Sequence, residues 1–325
     1  MNTPAPSPMS PFHQGEQDAQ TRAGKRAKAE VMGQRMIRTF MPDQHREFFE
    51  NLPFVVAGSV DDQGWPWASI LTGGVGFMSS PHNRQLDLNA QSLRDDPLSE
   101  ALIKDAPIGL LGIEIGTRRR NRMNATVIAH SGQSTSLAVA QSFGNCPQYI
   151  QTRDVNFVRS PDAPVDRAPT EYFTTFDDPA RSMITEADTF FVASYVNTAT
   201  NPAAQGVDVS HRGGPKGFVK IAGNTLTIPD YSGNNAFNTI GNFMVTPKAG
   251  LIFADFARGD VLMLTGTVEV LWGDDSTASA LKGTTRAWRF SLDHGLRIYD
   301  ALPFRAKFME WSRNNLLTDT FERDT

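Results

Sequence analysis

The sequence predicts a mainly β protein with short helices (α+β), organised as two similar domains in tandem. Three observations predict it. Short runs of β-branched and aromatic residues, such as Phe54 to Val60 and Phe190 to Ala193, are closed by Gly, Asn and Asp turns, the pattern of strands. Segments of the second half repeat segments of the first. Proline density rises at Pro161, Pro164 and Pro169, where apolar periodicity fades. Together they divide the chain into an N-terminal arm at 1–42, one domain at 43–165 and a second at 166–325.

Pro4, Pro6, Pro8 and Pro11, followed by Arg22, Lys25, Arg26 and Lys28, give the arm a composition suited to a mobile segment or one laid across a partner subunit. Asp43 can cap a helix running to Asn51, with Phe48, Phe49 and Leu52 on its apolar side. Phe54 to Val60, the turn Asp61 to Gly64, and Trp67 to Leu71 read as a hairpin, which Gly73-Gly74 ends. Leu86 to Leu88 is a short strand, Asp95 to Lys104 a helix, and Ile108 to Ile113 a buried strand. Met123 to Ala129 and Leu137 to Ser142 complete the first half.

The second half follows the same plan. Phe54-Val55-Val56-Ala57 is matched by Phe190-Phe191-Val192-Ala193, an offset of 136 (190 − 54). Gly73-Gly74, Leu86-Asp87-Leu88, Gly109-Leu110-Leu111 and Thr126-Val127 are matched at offsets of 140 or 141 (213 − 73, 226 − 86, 250 − 109, 267 − 126). A nearly constant offset is the signature of duplication, and two such domains would bury matching faces as a twofold dimer does.

Net charge is −4 and the pI about 5.9, which argues against a nucleic-acid-binding surface over the whole molecule. One cysteine, Cys146, excludes an internal disulfide. The apolar runs are too short to span a bilayer as a helix and the N-terminus lacks a signal-peptide core. The chain reads as a soluble cytoplasmic protein with no membrane or nucleic-acid partner. The six histidines have no metal-ligand spacing, so no metal is expected.

The stretch Gly206 to Asn242 carries the chemistry. His211-Arg212-Gly213-Gly214 precedes one apolar run, Pro229 to Asn235 follows another, and a helix opens near Ala236 or Phe237. Donor-rich turns beside a helix N-terminus suit an anion; the competing reading is a surface hairpin with ordinary turns. Comparing the halves adds an asymmetry. Arg118 to Arg122 lies at the start of a strand in the first half, where the second half has Gly259-Asp260-Val261-Leu262-Met263. Arg118, Arg120 and Arg122 would share one strand face, a costly arrangement unless solvated or opposed by an anion. A charged edge that deters strand pairing is the alternative.

These residues carry a resemblance. GVDVSHRGGPKGF, IPDYSGNNAFNTIGN and GLIFADFARGDVLMLTGTVEV in the second half, with PWASILTGGVGF, IGLLGIEIGTRRRNRMNATV and FGNCPQYIQ in the first, resemble the tandem, FMN-binding members of the pyridoxamine 5′-phosphate oxidase-like superfamily. The resemblance implies two tandem split β-barrels with FMN between them. It puts a phosphate cradle on Arg212, Lys216, Lys220, Asp230, Ser232, Asn234, Asn235 and Asn238, and a strand contribution on Arg120 and Arg122. His211 and Arg212 become candidates for orienting substrate or supplying a proton. Asn234-Asn235 stands where the authentic oxidase resembles an arginine–lysine pair, so vitamin B6 oxidation is not expected. The implied function is an FMN-dependent oxidoreductase, with NADH, NADPH or a separate redox protein as electron donor and a small-molecule substrate. The alternatives are a non-catalytic flavin- or haem-binding module, a partner-dependent electron-transfer component, or a duplication with a vacant site. The assembly would be a monomer with pseudo-dimeric barrels or a homodimer.

Overall fold

Runs of Val, Ile, Leu and Phe between glycine turns build two large antiparallel sheets. The computed structural model describes residues 9–161, 163, 169–197, 204–273, 284 and 286–318. Over these residues the chain is mainly β, with six short α helices. The first sheet contains β1 (Phe54–Val60), β2 (Pro66–Thr72), β3 (Met78–Ser79), β4 (Gln85–Asn89), β5 (Pro107–Glu114), β6 (Arg119–Ser131) and β7 (Ser134–Gly144), in the order β2-β1-β5-β6-β7-β4-β3. Next come β8 (Thr152–Phe157) and β9 (Glu171–Phe173). The second sheet contains β10 (Thr189–Val196), β11 (Gly206–Gly213), β12 (Lys220–Ala222), β13 (Thr225–Pro229), β14 (Lys248–Asp255), β15 (Asp260–Leu271) and β16 (Ala287–Ile298). Its order is β11-β10-β14-β15-β16-β13-β12. Replacing each strand of the first sheet by its counterpart reproduces the second path. Among the described residues neither sheet closes on itself. The last strand, β17 (Phe304–Glu310), returns to pair with β8.

The sheets pack face to face. Each half has its own apolar core, and a third core lies between them, drawing Phe54, Trp67 and Ile113 from the first half and Phe191, Ile252 and Met263 from the second. Two glycines permit the approach. A Cβ on Gly109 of β5 would lie 2.3 Å from the Val207 carbonyl oxygen of β11, and one on Gly250 of β14 would lie 2.3 Å from that of Pro66 in β2. These two contacts occupy equivalent places in the two halves.

The helices are α1 (Gln14–Arg22), α2 (Arg26–Met36), α3 (Asp43–Glu50), α4 (Leu98–Ala101), α5 (Asp178–Glu186) and α6 (Asn238–Val245). None of the helices in the described residues is long and apolar enough to cross a membrane. Three expectations change. The segment expected as an arm is helical from Gln14, and α1 lies against α6 of the same chain; Pro4, Pro6 and Pro8 fall outside the described residues. The helix expected from Asp95 to Lys104 spans only Leu98–Ala101, because Asp95 has a left-handed φ of 61° and Pro97 caps the start. Arg118 sits in the turn before β6 with φ 64°, so it does not share the strand face with Arg120 and Arg122. Most of the proline-rich boundary lies outside the described residues.

Candidate functional site

One cavity gathers side chains from both halves. From the first come Arg120 and Arg122 of β6, with Asn145, Gln148 and Tyr149 from the segment after β7. From the second come His211 and Arg212 of β11, Asp230, Asn234, Asn235 and Phe237 from the turn after β13, Asn238 and Thr239 opening α6, and Arg286 before β16. Strand alternation puts Arg120 and Arg122 on one side of β6. The turn reaches the cavity through two left-handed residues, Asn235 at φ 59° and Phe237 at φ 63°. Asparagine tolerates that region; phenylalanine does not adopt it without support from its surroundings.

The hydrogen bonds fix the cations from behind. Buried Arg122 donates to Asn238 Oδ1 at 2.9 Å and to Ser210 Oγ at 2.5 Å, and Ser210 contacts Thr239 Oγ1 at 2.7 Å. Arg120 Nε donates to the Cys146 carbonyl at 2.6 Å. Asp230 faces Arg286 at 3.0 Å and Arg212 at 3.6 Å. Tyr149 stacks on Tyr231 with ring centroids 5.3 Å apart, and its hydroxyl donates to the Ser232 carbonyl.

Among the residues that line the cavity the charges do not balance, although buried Asp208 and Glu16 act on Arg122 from behind. Four arginines line the cavity and Asp230 is the one carboxylate among the described lining residues. Burial, then the charge of Arg122, pulls Arg120 down to about 9; burial pulls Arg122 down to about 10, against the opposing pull of Asp208. Burial, Arg120, Arg212 and Arg153 hold His211 well below the usual imidazole range, so it is neutral near pH 7. Several buried polar atoms at the cavity have no hydrogen-bond partner among the described residues: Arg122 Nε, Arg212 Nε, both ring nitrogens of His211, and Gln148 Oε1. Unpaired buried donors beside an excess of guanidinium charge are costly unless an anion completes them. The enclosed space is about 100 Å³. A water molecule's share of the liquid is roughly 30 Å³ and whole-ligand pockets run from roughly 300 Å³ upward. The space is thus of the order of a phosphate-sized group, and Tyr149 and Tyr231 are part of its lining.

Of the residues expected from sequence, His211, Arg212, Asp230, Asn234, Asn235, Asn238, Arg120 and Arg122 line this cavity. Three do not. Lys216 points to another cleft and pairs with Glu186 at 2.8 Å. Lys220 lies on the edge strand β12. Ser232 is exposed and lines a neighbouring cleft with Lys25 and Thr284. His211 and Arg212 belong to a strand rather than a turn: β11 buries five successive residues, including Asp208, Ser210 and His211. Sequence reading does not single out Asn145, Gln148, Tyr149 or Arg286. The segment FGNCPQYIQ carries part of the resemblance, yet no local pattern assigns a role to its side chains.

The equivalent place across the sheets is filled. The register of β1 with β2 matches Ile70 to Val56, as that of β10 with β11 matches Ser210 to Val192. Ile70, Leu93, Val261, Met263 and Leu296 all belong to the core between the sheets.

No family model matches the chain, and no curated protein matches it. Among solved structures nine chains match. A candidate pyridoxamine 5′-phosphate oxidase from Lactobacillus delbrueckii is 15% identical, over 33% of this chain and 95% of its own, with a TM-score of 0.27. A histidine-to-alanine variant of HupZ from Group A Streptococcus is 11% identical, over 37% and 98%, with a TM-score of 0.30. A candidate 5-nitroimidazole antibiotic resistance protein from Bacteroides thetaiotaomicron is 13% identical, over 45% and 92%, with a TM-score of 0.25.

Proposed function

We propose that the cavity binds the phosphate group of a flavin mononucleotide-class ligand, and that two split barrels in tandem contribute one wall each. The observation that carries this reading is the excess of guanidinium charge around unpartnered nitrogens of Arg122, Arg212 and His211. A phosphate monoester supplies charge and acceptors that match them. The start of α6 adds its dipole to the same place.

Within this reading Arg122 and Arg212 hold the phosphate. Asn238 and Ser210 orient Arg122, and Asp230 orients Arg212 and Arg286. His211, kept neutral, donates one hydrogen bond to the ligand and is not a source of protons near pH 7. Tyr149 and Tyr231 form an aromatic part of the cavity wall. A bound flavin supplies hydride or electron transfer; the protein binds, orients and excludes water. The oxidoreductase reading adds NADH, NADPH or a redox protein as donor. A second reading, a phosphate-recognising module without redox chemistry, is favoured by the enclosed volume of about 100 Å³.

Reconstitution with excess FMN followed by desalting tests the first reading: retained flavin absorbance is expected, and its absence sinks the flavin part. Calorimetric titration with inorganic phosphate tests the site alone. Arg122→Gln is expected to weaken phosphate binding by about 10- to 100-fold, the worth of one charged hydrogen-bonding group; unchanged affinity rejects the site. Anaerobic NADH or NADPH bleaches the bound flavin of a self-sufficient enzyme and leaves a pure binder unchanged.

A further inference from the structure

Helix α1 does not line the cavity, yet its buried face ends on the residues that do. Glu16 is 3% exposed. One carboxylate oxygen accepts from Asn238 Nδ2 and the other from the His13 backbone N–H at 2.9 Å. Asn238 Oδ1 in turn accepts from Arg122. Gln20, fully buried, donates to the Ala236 carbonyl at 2.9 Å, between the two left-handed residues Asn235 and Phe237. His13 contacts Asn242 Oδ1 at 2.7 Å, and Asn242 donates to Asp208.

The helix docks without a greasy face. Its buried residues are Gly15, Glu16, Ala19 and Gln20. What allows the contact is a backbone-to-backbone approach: a Cβ on Gly15 would lie 2.3 Å from the Gly241 carbonyl oxygen, and one on Gly241 would lie 2.5 Å from Glu16 Cα. Little apolar area is buried, so the contact depends on polar partners meeting at fixed positions. These partners are the amide that orients Arg122 and the turn that carries Asn235.

We propose that α1 is a working part of the anion site, with Glu16 and Gln20 as positioning residues: Glu16 sets Arg122 through Asn238, and Gln20 holds the 235–237 turn against the cavity. The inference rests on the reading of the cavity as an anion site. Linkage makes it reciprocal: whatever α1 adds to phosphate affinity, phosphate adds to α1 docking.

Hydrogen exchange on the wild-type chain, with and without saturating inorganic phosphate, reads the second half of that statement. Slower exchange of α1 amides with phosphate is expected. Calorimetry reads the first half. Gly15→Val, which forces the helices apart, and Glu16→Ala are each expected to weaken phosphate binding tenfold or more. Glu16→Gln, which keeps an oxygen for Asn238, recovers most of that loss, and Gln14→Ala on the exposed side changes nothing. A merely structural helix would lower the melting temperature without moving the dissociation constant. The inference is overturned if wild type binds phosphate with α1 exchange unchanged, or if Gly15→Val binds as wild type does. Should the variants fail to fold, the wild-type exchange result decides. Absence of phosphate binding by wild type overturns the anion site itself, and the coupling with it.

Discussion

Asp96 is almost wholly buried beside α4, where one carboxylate oxygen accepts from Ser69 Oγ at 2.7 Å and from the Leu98 N–H at 2.9 Å while the other has no partner among the described residues. Burial pushes its pKa from the ordinary 3.8 up to about 6, against the pull of those two hydrogen bonds. The folded chain therefore keeps this proton up to about pH 6, and the unfolded chain releases it near 3.8. Folding takes up a proton between those values, so this group's contribution falls as pH rises through the window. The span from 3.8 to about 6 corresponds to roughly 3 kcal/mol. Asp96→Asn keeps an acceptor for Ser69 and Leu98 and removes the charge. It is expected to be more stable than wild type at pH 7 and to lose that advantage toward pH 4. Urea unfolding of both proteins across this range measures it; a constant difference between them rejects the assignment. His211 works in the opposite direction. Its lowered pKa makes its contribution complete above about pH 6.5 and progressively lost below it.

At the scale of elements, Gly109 and Gly250 carry the contact between the sheets. Each stands where a side chain would meet a backbone carbonyl of the other half at 2.3 Å, and backbone cannot move aside as a flexible side chain can. Gly109→Val or Gly250→Val is expected to cost about 3 kcal/mol, the range of overpacking in a closed core. Gly74→Ala, with nothing within 4 Å, should stay close to wild type. Thermal unfolding separates them, and a neutral Gly109→Val would show that the sheets part easily. The strands that form these contacts were legible, because Phe54 to Val60 and Ile108 to Ile113 are largely apolar runs between turns. Strand β11 was not. His211 and Arg212 read as turn residues, and buried polar residues such as Asp208, Ser210 and His211 are rare in strands. Nor was α1 legible as a docked helix. Its contact face is glycine, alanine, glutamate and glutamine, which gives no apolar period to detect. Pairing of β8 with β17 joins residues about 150 positions apart, beyond the reach of any local pattern.

Across the whole molecule, two matching sheets share a polar cavity lined from both halves. The two strand paths are equivalent, and the arginine asymmetry visible in the sequence becomes a difference in what each interface contains. On one side β6 brings Arg120 and Arg122 to β11 and α6. On the other, β15 brings Val261 and Met263, both fully buried, to Ile70, Leu93 and Leu296. At the offset of 140, Leu98 of α4 and Leu102 just after it stand where α6 presents Asn238 and Asn242, and both leucines are buried in the first half's core. A phosphate there would face apolar side chains and Asp96, while Arg94, the counterpart of Asn234 at that offset, is largely exposed and lies beside Asp95, so burial would carry a desolvation cost of several kcal/mol. The chain should therefore bind one phosphate group, not two. Calorimetric titration with inorganic phosphate is expected to give one site per chain, and Arg122→Gln should weaken that whole isotherm rather than one of two phases. A stoichiometry of two, or a residual strong phase in Arg122→Gln, would reject the single site: the second phosphate would then occupy either the cationic cleft lined by Arg153, Lys216, Arg258 and Arg305 or the apolar interface, and the latter requires Val261 and Met263 to leave the core between the sheets.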